Sequence, residues 1–187
     1  MKKIGLLFIT ALFVVSISGA AQAKALVAYF SWSGNTEIMA RTIFDRLKER
    51  NVDADLFVIE TATPYPVEYR PTTVVARQEQ DQDARPALAT RVENMAQYNT
   101  IFLGYPIWRG TLPMAEFTFL EKEGYDFSGK RIISFNTHER SGAGRGVEDI
   151  RRLAPNATVE AGLVVRGKDV IESIAKIQEW VDSLENL

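Results

Sequence analysis

Five short apolar runs alternate with stretches of helical periodicity from residue 25 to the end of the chain, and this alternation restricts the fold more than any other feature. Residues 25–30 (Ala-Leu-Val-Ala-Tyr-Phe) read as a buried strand, as do 55–60, 100–104, 131–135 and 158–165. Between the first two, Met39, Ile43 and Leu47 recur every four residues from Glu37 onward, with Ile38 and Phe44 beside them, which is helical spacing. A solvated helix is expected near 72–83 and a second helical segment over 86–96, after a loop rich in proline. Further helices are expected over 113–123, with Pro113 in the first turn where proline is tolerated, and over 147–153. In the last helix Val170, Ile174, Ile177, Val181 and Leu184 form one core-facing stripe. Strands separated by helices predict an α/β fold in three layers, a parallel sheet covered on both faces. For five strands the common order is 2-1-3-4-5, and ligands then lie beyond the strands' carboxyl ends, between strands one and three.

The loops at those ends carry the chemistry. Ser31-Trp32-Ser33-Gly34-Asn35-Thr36 joins the first strand to the first helix. It offers three hydroxyls, a side-chain amide, a glycine and a helix N-terminus, whose unpaired N–H groups and dipole favour an anion. The loop contains no lysine, so a Walker-type triphosphate site is excluded, and a phosphate monoester held by neutral donors fits better. A plain capped turn is the other reading of the same residues. Tyr105-Pro106-Ile107-Trp108-Arg109-Gly110 ends the third strand, and the expected strand order brings it to the first loop across more than seventy residues of sequence. Trp108 can stack on a flat ring or simply cover the sheet end. The glycine-rich loop 136–146 follows the fourth strand, and its amides over 138–142 can donate to ring carbonyl oxygens or serve only as a connector.

Composition removes several classes. The chain has no cysteine and one histidine, so Cys-ligated metals and iron–sulfur clusters are excluded, no metal site is expected, and any redox chemistry has to come from an organic cofactor. No basic stripe interleaved with aromatics stands out, so nucleic acid is not an expected partner. Residues 1–23 have the form of an export signal: Lys2 and Lys3, an apolar run over 4–17, and Ala21-Gln22-Ala23 as a cleavage site. Cleavage leaves residues 24–187 as one domain and, with Lys2 and Lys3 lost, takes the net charge from −2 to −4. The expected location is the periplasm, with secretion or an uncleaved anchor as alternatives. No second stretch reaches membrane-spanning length.

Taken together, Phe-Ser-x-Ser-Gly-Asn-Thr, Gly-Tyr-Pro-Ile-Trp and Phe-x-Thr-His-Glu-x-Ser-Gly-x-Gly resemble the motifs of bacterial flavodoxins and flavodoxin-like oxidoreductases over residues 25–187. The resemblance implies flavin mononucleotide (FMN) bound non-covalently. Its phosphate would sit on Ser31, the Trp32 backbone, Ser33, Gly34, Asn35 and Thr36. Its isoalloxazine would lie between a loop of Pro106, Ile107, Trp108, Arg109 and Gly110 and a loop holding Thr137, His138, Glu139, Ser141 and Gly142, with Tyr105, Pro106 and Trp108 beside the phosphate cradle.

This chain departs from the pattern at two positions. Arg109 stands where relatives often have a second tryptophan, and either favours an anionic reduced flavin or points to solvent. Trp32 stands where a smaller or basic residue is common, and either shields the ligand or is merely exposed. Three functions follow from the resemblance: an electron-transfer protein with a redox partner protein, an FMN-dependent NAD(P)H oxidoreductase with a small quinone-like acceptor, or a binding module without turnover. His138 would donate a hydrogen bond or proton near the ring, or only order its loop. No nicotinamide-binding motif stands out, so the reductase reading rests on analogy.

Overall fold

The computed structural model describes residues 24–187, so the signal-like segment 1–23 lies outside the described residues. Strands β1 (Lys24–Tyr29), β2 (Asp53–Val58), β3 (Thr100–Pro106), β4 (Arg131–His138) and β5 (Thr158–Arg166) form one parallel sheet in the order β2-β1-β3-β4-β5. Helices α1 (Asn35–Glu49), α2 (Tyr69–Asp81), α3 (Met114–Glu121), α4 (Gly146–Leu153) and α5 (Ile174–Asp182) complete the expected three layers.

The twofold alternation of strand side chains sorts the core into two clusters. Leu26, Ala28, Ile101, Leu103, Tyr105 and Ile132 face α3 and α4, where Met114, Phe117, Phe119 and Ile150 meet them. Ala25, Val27, Tyr29, Phe102, Ile133 and Phe135 face the other way, onto Met39, Ile43 and Leu47 of α1 and Ile177 and Val181 of α5. Central strands buried on both faces need near-continuous apolar sequence, which is why their runs were legible. A Cβ at Gly104 would overlap the ring of Phe135, its partner across β3 and β4, so glycine is required there by close approach.

The structure differs from the sequence reading in several places: β3 runs on to Pro106 and α2 begins at Tyr69. Residues 86–96 are not a helix. The Ala62 amide donates to the Ala87 carbonyl (2.8 Å) and the Ala89 amide to Glu60 (2.8 Å), so this segment pairs with the chain leaving β2. Only Met95–Gln97 make a short 3-10 turn. The β2 strand lies two residues earlier than expected, and β4 runs on to His138, so Asn136, Thr137 and His138 are strand residues rather than loop. The α5 helix starts at Ile174, after a 3-10 turn over Gly167–Asp169. Ile174 is 37% exposed and leaves the predicted stripe, whereas Val170, Ile177 and Val181 are buried.

Candidate functional site

The strand order reverses between β1 and β3, and the loops following β1, β3 and β4 border a common cavity of about 690 Å³ there. That volume falls within the range of small-molecule and cofactor pockets, roughly 300–1,000 Å³. Twelve of the sequence-predicted residues line it: Trp32, Ser33, Asn35, Pro106, Ile107, Trp108, Arg109, Gly110, Thr137, His138, Glu139 and Ser141.

One end is built on α1. Gly34 precedes the helix with φ 85°, a left-handed conformation that glycine adopts without strain, and has no side chain of its own to cap it. Ser31 Oγ accepts the Glu37 amide (3.2 Å), and Asn35 Nδ2 donates to Ser33 Oγ (3.3 Å). The Asn35 and Thr36 amides have no acceptor among the described residues, as expected for first-turn N–H groups. Thr36 is buried, and its Oγ1 shares a 2.8 Å hydrogen bond with Thr137 Oγ1, tying the first turn of α1 to the end of β4. The acidic Glu37 is drawn off to Arg41, 2.8 Å away.

The other end is a tight hairpin. Trp108 and Thr111 exchange both backbone hydrogen bonds (2.8 and 3.1 Å), and the two central residues, Arg109 and Gly110, have φ 48° and 87°. Positive φ at both central positions is the signature of a type I′ turn, and Arg109 holds it at the cost of strain. The Arg145 amide donates to the Gly110 carbonyl (2.8 Å) and Thr111 Oγ1 to Asp149 (2.6 Å), clamping the hairpin onto α4. The Trp108 ring meets Phe30 and Tyr65 edge-to-face at 5.3 and 5.1 Å. Arg109 Nε donates to Gln80 (2.8 Å), and its Nη2 lies 3.8 Å from Asp81. The guanidinium is therefore tied to the C-terminal end of α2, where the helix dipole favours a cation.

The third wall is the end of β4 and the loop after it. The Gly142 amide, at φ 68°, turns back to donate to His138 Nδ1 (3.1 Å), and the Ile107 amide donates to the Thr137 carbonyl (2.8 Å). Trp32 is pinned as well: its Nε1 donates to the Pro66 carbonyl (2.8 Å), and its ring tilts against Tyr69 at 6.4 Å.

Ser31, Gly34, Thr36, Tyr105 and Gly142 do not line the cavity. Ser31 and Gly142 act through the hydrogen bonds just described. Tyr105 lies in the α3-facing core with its hydroxyl unpartnered, and burial pushes that hydroxyl's pKa up. Conversely, Tyr69, Thr72, Thr73 and Ala76 of α2, together with Arg140 and Gly167, line the cavity without having been read from sequence. The α2 four are spaced i, i+3, i+4 and i+7, one helical face; small, polar residues disguised it as a solvated one.

The chain belongs to the flavodoxin family, whose profile matches residues 24–184. No curated protein sequence matches it. Among solved structures, it is similar to a candidate flavoprotein from Bacteroides uniformis ATCC 8492, with 28% identity over 86% of this chain and 99% of that one and a TM-score of 0.71. A candidate flavoprotein from Bacteroides eggerthii DSM 20697 gives 27% identity, coverage of 83% and 98%, and a TM-score of 0.66. A flavoprotein in complex with FMN from Lactobacillus acidophilus NCFM shares the fold at 21% identity, with coverage of 82% and 99% and a TM-score of 0.65. Among the described residues no helix is long and apolar enough to cross a membrane, and no group of three or more His, Cys, Asp or Glu residues could hold a metal ion.

Proposed function

We propose that this chain binds FMN non-covalently in the strand-end cavity and works in electron transfer. The supporting observation is the cavity's two-ended donor set. The unpaired Asn35 amide, Ser33 and the Asn35 side chain suit a phosphate monoester, while the Trp108 hairpin and the end of β4 suit a flat heterocycle. Family membership and the FMN complex of the Lactobacillus acidophilus structure support the same reading. Bound FMN supplies the redox chemistry. The chain's own residues hold the phosphate with neutral donors, wall off the ring with Trp108 and Ile107, and keep Arg109 paired to α2.

The test is to isolate the protein, record its visible spectrum, denature it and identify any released flavin, then titrate the stripped protein with FMN and with riboflavin. Tight uptake of FMN over riboflavin supports the phosphate assignment; uptake of neither rejects the reading. A second reading, an FMN-dependent reductase with a quinone-like acceptor, is favoured by the α2 wall, where the Tyr69 ring is 70% exposed at the cavity. Bleaching of the flavin by NAD(P)H alone supports the reductase, and reduction only through a partner protein supports the carrier.

Export is part of the proposal. It is supported by the basic start, apolar run and Ala21-Gln22-Ala23 of residues 1–23. The mass of the protein recovered from its host tests it, since processing after Ala23 leaves a chain beginning at Lys24.

A further inference from the structure

Building on the FMN reading above, we infer that His138 is a tautomer-locked donor. Its Nε2–H is held toward the cavity for an acceptor atom on the flavin ring, and the Gly142 amide is the device that locks it. His138 closes β4, is half-buried and lines the cavity. Its Nδ1 accepts the Gly142 N–H at 3.1 Å. A nitrogen that accepts carries no proton, and a neutral imidazole has only one, so that proton resides on Nε2. Among the described residues no protein group accepts from Nε2. The left-handed Gly142 (φ 68°) lets the chain fold its amide back onto a side chain four residues earlier, a turn that a residue with a Cβ makes only under strain.

Other donors share this wall, since Arg140 and Ser141 also line the cavity, whereas Arg109 is held by Gln80 and the carboxylate of Glu139 can only accept. His138 is set apart from them by the bond that fixes its ring. A flavin ring edge presents carbonyl oxygens, which accept and become more electron-rich when the ring is reduced, and one of these is the acceptor for His138. A fixed donor therefore binds the reduced ring more tightly than the oxidised one. By linkage it raises the flavin's potential, by an amount set by the logarithm of that preference. Gly142 is the positioning residue.

The chain's single histidine makes the first measurement unambiguous. In FMN-free protein at alkaline pH, ¹⁵N NMR of the imidazole is expected to place the proton on Nε2; a proton on Nδ1 overturns the lock. The second measurement compares His138→Asn with His138→Gln, reading affinity for oxidised and reduced FMN and hydrogen exchange at the Gly142 amide. Asn keeps an acceptor near the Nδ1 position but loses the outer donor. It is expected to keep Gly142 protected while weakening reduced FMN about tenfold relative to oxidised, the effect of one hydrogen bond to a charge-gaining group. Gln keeps an outer donor and loses the inner acceptor, so protection at Gly142 should fall while the reduced-to-oxidised ratio stays near wild type. An unchanged ratio in the Asn variant overturns the ring contact. Wild-type protein that takes up no FMN overturns the flavin reading, and this ring contact with it, while the tautomer measurement stands independently.

Discussion

The seam between α1 and α5 and the ground beneath α3 answer acid in opposite senses. At the seam, Arg46 faces Asp182 through two parallel hydrogen bonds of 2.8 and 2.6 Å. The hydrogen-bonded guanidinium holds the Asp182 carboxyl below its usual range. The folded form therefore gains from ionised Asp182 above the ordinary carboxylate range and loses that gain as pH falls. Beneath α3, Glu116 is 0% exposed, and neither carboxylate oxygen has a partner. Burial raises its pKa well above the usual value, so the folded chain keeps the proton to higher pH than the unfolded chain. That advantage is complete below the ordinary carboxylate range and is lost as pH rises toward the folded value. One helix packing thus tolerates titration at its rim, and the other carries a neutral acid inside its core.

The contrast breaks most completely by emptying the seam. Ile43→Ala removes a fully buried side chain from the α1 face and is expected to cost about 2–5 kcal/mol in denaturant unfolding. Glu116→Leu should act in the opposite direction. It removes two unpartnered buried oxygens, and a stabilisation of about 1–3 kcal/mol is expected at neutral pH, shrinking at acid pH where the wild-type proton is present in both states. Melting temperatures recorded across pH 4–8 check both sign and slope; a wild-type protein whose stability climbs steadily through that range speaks against a neutral Glu116. Arg46→Gln should lower the melting temperature by about 2 °C or less near neutrality, and by nothing once Asp182 is protonated. For the site, Ser33→Ala should weaken FMN binding by about 1 kcal/mol, measured by flavin titration of the stripped protein. The smallest effect is expected for Arg109→Gly: relief of the left-handed strain offsets the lost Gln80 bond, leaving a net change within about 1 kcal/mol in thermal unfolding.

Most of the sheet was legible because buried parallel strands must be apolar along their length, and residues 25–30 and 100–104 have no other stable use. The three cavity-lining loops were legible for a related reason, since chain reversals at strand ends are where polar side chains and glycines collect. Side-chain direction was harder to read. Tyr105 shares the face of Leu103 and Ile101 because strand neighbours two apart point the same way, and this turns its ring into the core. Thr36 reads as a ligand hydroxyl, and its bond to Thr137 is a contact that no local pattern encodes. Glu116 lies in Met-Ala-Glu-Phe-Thr-Phe-Leu, a helix buried on every side, so periodicity gave no polar face on which to place it. The missing helix over 86–96 is a tertiary override, its Ala87 carbonyl and Ala89 amide captured by Ala62 and Glu60.

The hydroxyl pair joining Thr36 to Thr137 spans 101 positions of sequence. A chain emerging from the ribosome, or threading through a translocation channel, cannot make that link until its fourth strand has docked. Any fragment ending before residue 137 would own the anion loop and lack the pocket. If the chain binds FMN as proposed, uptake of the flavin would then report that the whole fold is finished, and if it is also exported it would have to meet the flavin at its destination.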